Sequence, residues 1–252
     1  MVNIEPRLVA TDLSIEKREL LSYLLKEEGI ESSSSSTIPR RENPDKAPLS
    51  FAQERLWFLD QLEPNSAAYN IPAALHLVGP LNVPALEQGL NEIVRRHEVL
   101  RTTFAVEEGR PVQVIAPSPG ITLIVQDVGQ LSEAAREVEV QRLTAEEARH
   151  PFDLTRGPLL RATLLRLGDE EHVLLLTMHH IVFDEWSFKV LNRELSVLYE
   201  AFSAGKPSPL PELPIQYADF ACWQQEWRQG EAWQAQLAYW KKQLGGSLPV
   251  LE

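Results

Sequence analysis

Two histidines, an acid and a hydroxyl fall within one short string, His179-His180-Ile181-Val182-Phe183-Asp184-Glu185-Trp186-Ser187. A neutral imidazole, whose ordinary pKa is about 6.5, can accept or relay a proton near neutral pH. Upstream, the apolar run at residues 173–177 reads as a buried strand. Downstream, residues 188–199 space their apolar side chains for an amphipathic helix. The group therefore sits where a core strand turns into a helix, a position from which rigid scaffolds often present chemistry. Adjacent strand residues point to opposite faces, so one histidine faces a cleft while the other is held in the packing behind it. The same geometry argues against a metal, because two opposed imidazoles do not converge on one ion and no Cys or His cluster supplies further ligands. Taken alone, His-x-x-x-Asp also fits a structural histidine beside a turn-forming aspartate.

Other strings narrow the choice. Ser50-Phe51-Ala52-Gln53-Glu54-Arg55-Leu56-Trp57 follows the pattern Ser-x-Ala-Gln-x-Arg-Leu-Trp, with Ser50 a good helix N-cap. Arg96-His97-Glu98-Val99-Leu100-Arg101-Thr102-Thr103-Phe104 follows a predicted helix at residues 83–97. Pro151-Phe152-Asp153-Leu154-Thr155-Arg156-Gly157-Pro158-Leu159-Leu160-Arg161 precedes the histidines, and Tyr217-Ala218-Asp219-Phe220-Ala221-Cys222-Trp223 comes after them. Together these strings resemble, in order, the motifs of condensation domains from nonribosomal peptide synthetases, in the chloramphenicol acetyltransferase-like superfamily. The resemblance covers residues 47–252. It implies an α+β lobe with a mixed β-sheet covered by helices, and a second lobe truncated at residue 252.

In that family a peptide bond forms between two substrates tethered as thioesters to the phosphopantetheine arms of carrier domains. No directly bound cofactor and no metal are implied. The resemblance makes His180 the residue that removes a proton, or that orients the amine by a hydrogen bond, with His179 supporting the site from behind. Arg101 would hold Asp184 by a buried ion pair, making Asp184 a scaffold, while Trp186 and Ser187 steady the loop. One position departs from the family, which usually has glycine where this chain has Glu185. That glutamate adds bulk and negative charge. It either modifies the substrate tunnel and the acceptor preference, or marks loss of activity, or turns to solvent and changes little. The absence of later motifs implies that residues 1–252 alone have little condensation activity. Two further readings stand beside this one: an inactive, truncated interaction module, and a free-standing acyltransferase using acyl-CoA.

The remainder of the chain sets bounds. With 252 residues, 44% hydrophobic, it can bury a sizeable core. A net charge of −12 disfavours a nucleic-acid partner. The lone Cys222 excludes an internal disulfide and fits a reducing compartment. Neither a signal peptide nor an apolar run of bilayer length is visible, so the expected location is cytoplasmic. Residues 1–31 hold a predicted helix at 13–30, which serves either as an accessory element or as a docking helix for an upstream synthetase subunit. Residues 32–46 read as a flexible linker, 47–225 as the main lobe, and 226–252 as a connecting helix leading to the remaining half of the domain. Within the lobe, strands are expected at 69–78, 111–115, 121–125, 162–167 and 173–179, the last two forming a hairpin. A solvated helix is expected at 131–149, a proline-rich connector at 205–214, and one long helix at 224–244. The aromatics around Tyr217 are expected to lie mostly in the core.

Overall fold

The computed structural model describes residues 38–117 and 120–246, so the helix expected at 13–30 and the serine run at 32–36 lie outside the described residues. In chain order the elements are β1 (Lys46–Pro48), α1 (Phe51–Leu62), β2 (Asn70–Val78), α2 (Val83–Arg96), a 3-10 turn (Glu98–Arg101), β3 (Thr102–Glu107), β4 (Arg110–Ile115), β5 (Ile124–Asp127), α3 (Glu133–Arg149), β6 (Leu160–Arg166), β7 (Glu171–His179), α4 (Glu185–Ser203), α5 (Tyr217–Trp227) and α6 (Glu231–Gln243).

One sheet has the order β2-β7-β6-β5, with β5 parallel to β6 and the other pairs antiparallel. It is mixed, as expected, and β7 is a central strand. Along β7 the side chains alternate between two cores. Leu174, Leu176 and Met178 join the main cluster with Leu90, Ile93 and Leu198 of α2 and α4, while Val173 and Leu175 face Val140 and Leu143 of α3. Burial on both faces explains why the strand reads as an unbroken apolar run. Each fully buried leucine there contributes about 1.5–3 kcal/mol. A Cβ at Gly89 of α2 would lie 3.2 Å from Leu195 Cδ1, so the missing side chain lets α2 and α4 approach closely.

The second sheet, β1-β4-β3, contains two strands the sequence left unread, β1 and β3. Glu108 and Gly109 both have positive φ, 51° and 77°, and form the tight turn from β3 to β4. Three other expectations are corrected. The strand expected at 121–125 lies at Ile124–Asp127, because Ile121 and Leu123 are drawn into the main core instead. The helix expected at 224–244 is two helices, since Gly230 stands outside the helix as the N-cap of α6. The part of the linker at residues 39–46 is pinned. Arg41, with a side chain 6% exposed, pairs with Asp219 at 2.7 Å and Glu98 at 2.6 Å, while Arg40 donates to Pro214 O at 2.8 Å. The aromatics of α5 also differ from expectation: the buried residues are Ala218, Asp219 and Ala221. Asp219 must turn inward to meet Arg41, which sends Phe220, Trp223 and Trp227 into a partly exposed stack.

Candidate functional site

β7 ends at His179 and the chain turns through residues 180–184 into α4. Residues at the ends of both neighbouring strands hold this turn, since the His179 amide donates to Leu159 O at 3.1 Å and the His180 amide to Tyr69 O at 2.8 Å. The three residues inside His-x-x-x-Asp are core: Ile181, Val182 and Phe183 are each 6% exposed or less. The Phe183 ring meets Phe188 edge-on at 6.5 Å. From α1, the buried Gln53 donates its Nε2 to Ile181 O at 3.3 Å and to Gln113 Oε1 at 3.2 Å, while capping its own helix through Ser50. Gln53 was visible only as a letter in the first motif string. Its polarity at a helical position facing the core was the signal that it serves a network.

The two histidines separate as the strand geometry requires. His179 is 3% exposed. Its ring packs edge-on against Phe152 at 6.1 Å and tilted against Tyr69 at 6.4 Å. Phe152 is braced from its other side by the Arg161 guanidinium, 3.8 Å from the ring centroid. His179 Nδ1 accepts the Ile181 amide at 3.1 Å, so its proton resides on Nε2. Burial, with a smaller effect from neighbouring His180, pushes its pKa down to about 4, and it is neutral at physiological pH. His180 is exposed. Its Nδ1 lies 2.7 Å from Phe183 O, and because a carbonyl only accepts, Nδ1 carries the proton. Nε2 is left with a free lone pair. The backbone thus chooses the tautomer, as expected for a histidine held in one role.

Asp184 is the N-cap of α4. It accepts from the Ser187 amide at 2.8 Å and from the Ser187 hydroxyl at 2.5 Å. These bonds, together with His180 nearby, hold its carboxyl below the ordinary 3.8 despite partial desolvation. Ser187 therefore steadies the loop. The expected Arg101–Asp184 ion pair does not form. Arg101 donates to Ala116 O and lies 3.6 Å from Glu98. The expectation rested on a buried carboxylate, whereas Asp184 is exposed and satisfied by the amides and dipole of a helix N-terminus. Trp186, expected to support the loop, is instead 71% exposed with Lys189 Nζ 5.3 Å from its ring. Phe183 and Phe188 already supply the packing. Glu185 is the exposed first residue of α4, where a negative charge suits the helix dipole. It has ordinary helical backbone, so no glycine is required for φ, and it lines neither cavity beside the turn.

His180, Asp184 and Ser187 open onto a half-enclosed cavity of about 230 Å³ whose far side is formed by Gln53, Arg55 and Leu56 of α1 and by Tyr217 of α5. Tyr217 is tied to Ser50 by a 2.8 Å hydroxyl contact. The first and last sequence strings thus meet the histidine string at one place. Among the described residues, no group of three or more His, Cys, Asp or Glu could hold a metal ion.

Comparison with known proteins agrees with this arrangement. The profile of the family described as Condensation domain matches residues 43–252. This chain belongs to that family. The condensation domain is 48% identical over 233 residues to a linear gramicidin synthase of Brevibacillus parabrevis, covering 92% of this chain and 3% of that protein. Among solved structures it resembles the first condensation domain of the calcium-dependent antibiotic synthetase in complex with a substrate analogue, with 25% identity, a TM-score of 0.71, and coverage of 83% of this chain and 51% of that one. It also resembles the X-domain of teicoplanin biosynthesis, solved in complex with OxyB, at 32% identity and a TM-score of 0.73, covering 86% of this chain and 47% of that one. The chain thus spans a small fraction of the gramicidin synthase and about half of each solved chain. The α+β, chloramphenicol acetyltransferase-like fold expected from the sequence is the fold observed.

Proposed function

We propose that this chain carries the histidine centre of amide bond formation between aminoacyl or peptidyl thioesters borne by carrier domains. The observation that supports it most is the orientation of His180: Nδ1–H is committed to Phe183 O, and the Nε2 lone pair belongs to a residue lining the cavity. An acceptor amine at Nε2 attacks the donor thioester carbonyl, forming C–N and then breaking C–S. Nε2 takes the proton that the nitrogen must lose and returns one to the departing sulfur, so the protons balance. Whether that transfer or the orienting hydrogen bond dominates, the same atom serves. His179, neutral and immobile, keeps the neighbouring backbone in place, and Asp184 with Ser187 fixes the start of α4. The phosphopantetheine arms belong to the substrates. No described helix is long and apolar enough to cross a membrane. The single cysteine fits a reducing compartment, which supports a reaction in the cytoplasm.

The test is product formation from two loaded carrier domains with the second half of a condensation domain supplied, since this chain covers about half of the solved relatives. His180→Ala should lower turnover by at least about 100-fold, the usual range for a positioned proton-transfer group. An unchanged rate would rule out the assignment. A second reading, an interaction module without catalysis, is favoured by the likeness to the X-domain solved with OxyB. It requires wild-type protein to form no product under those conditions.

A further inference from the structure

A second cavity of about 230 Å³ lies directly beside the one at His180. The two share Val99, Val182, Phe183, Ser187 and Tyr217 in their linings, so they are adjoining compartments. Beyond that partition the walls are apolar: Ile93 and Leu100 on one side, Val190 and Leu191 of α4 on another, Leu213 and Ile215 of the connector closing the end. Its polar side chains are already engaged within the protein. His97 Nε2 is 2.7 Å from Glu194, Gln216 accepts from the Glu98 amide and donates to Arg96 O, Ser187 donates to Asp184, and the Tyr217 hydroxyl meets Ser50. A polar guest would find no free partner and would lose its hydration uncompensated. An apolar guest loses nothing. The volume exceeds the roughly 150 Å³ cavity that admits benzene.

We propose that this compartment is the side-chain subsite for the acceptor aminoacyl group, selecting a large aliphatic or aromatic residue. The inference rests on the proposed role of His180. An amine placed at Nε2 is bonded to the carbon that bears the side chain, and the adjoining compartment is the space available to that side chain. Trp186, exposed at the rim, forms part of the mouth. The partition residues, Phe183 and Ser187, belong to the same turn that positions His180. Side-chain selection and chemistry therefore share one rigid element.

Calorimetric binding of phenylalanyl-, leucyl-, glycyl- and aspartyl-pantetheine amides to the full chain tests this directly. The first two should bind at least about tenfold more tightly than the last two. Val190→Phe fills the compartment without touching the His180 cavity and should erase that preference, with folding checked by circular dichroism. Leu213→Phe, from the opposite wall, repeats the test should Val190→Phe fail to fold. Equal binding of all four probes, or a preference surviving the filling variant that folds, overturns the subsite. Preferential binding combined with no product in the carrier assay leaves the subsite standing and refutes the catalytic reading. Product formation without side-chain preference does the reverse.

Discussion

Protonation of His179 should cost the fold measurable stability well above the acid range of its carboxylates. In the folded protein its pKa is about 4 against an ordinary 6.5, so between those values the unfolded chain binds more protons than the folded one. Stability must then rise with pH across that interval and fall as pH drops below about 6.5. At about 1.4 kcal/mol per pH unit, the loss is about 2 kcal/mol by pH 5 and about 3 kcal/mol at full protonation. The physical source is the site itself: a ring 3% exposed, boxed by Tyr69 and Phe152, with Nδ1 already accepting the Ile181 amide. A second proton has nowhere to go without breaking that bond. The assay is urea unfolding at several values between about pH 8 and pH 5, comparing wild type with His179→Asn, which keeps an acceptor near Nδ1 but does not titrate. The difference between the two should shrink by about 2 kcal/mol over that interval. Asp184 does not confound it, because a carboxyl held below 3.8 gives up its contribution only in stronger acid. Parallel profiles would refute the reasoning, as would a nuclear magnetic resonance titration placing the His179 midpoint near 6.5.

Three further outcomes follow from the contacts. Gln53→Ala leaves Gln113 and Ile181 O with one buried partner fewer and should cost about 1–3 kcal/mol in urea unfolding; a neutral result would remove Gln53 from the support of the turn. Arg41→Ala strands Asp219, whose side chain is 4% exposed, and should cost about 3–5 kcal/mol; a cost no larger than an exposed pair's would mean residues 39–46 are not pinned in solution. Asp184→Ala should cost about 1 kcal/mol as a lost N-cap. Combined with Arg101→Ala, the two costs should add to within about 0.5 kcal/mol, since they share no partner; a strong coupling in the double-mutant cycle would restore the ion pair between them.

Local pattern carried much of this protein. The unbroken apolar run of β7 and the helical spacing after Asp184 were enough to place the histidines at a strand-to-helix turn. Strand alternation alone separated His179 from His180, because the pleat permits nothing else. The condensation-domain strings identified the family and fold. What the sequence could not supply was the partner of any polar group. Arg101 answers to Glu98 and Ala116 rather than Asp184, because an ion pair depends on where two distant segments come to rest. Arg41 is buried rather than free for the same reason, and its demand on Asp219 turns the aromatics of α5 outward. The strands β1 and β3 were illegible because three to six residues carry too little periodicity to stand out from the motif strings around them. Only the tertiary structure decided that Phe183 O fixes the proton on His180 Nδ1, and that an apolar compartment with no free hydrogen-bonding partner adjoins Nε2. Both arise where α1, α2, α4 and the connector converge around the turn, and such convergence is written in no single stretch of chain.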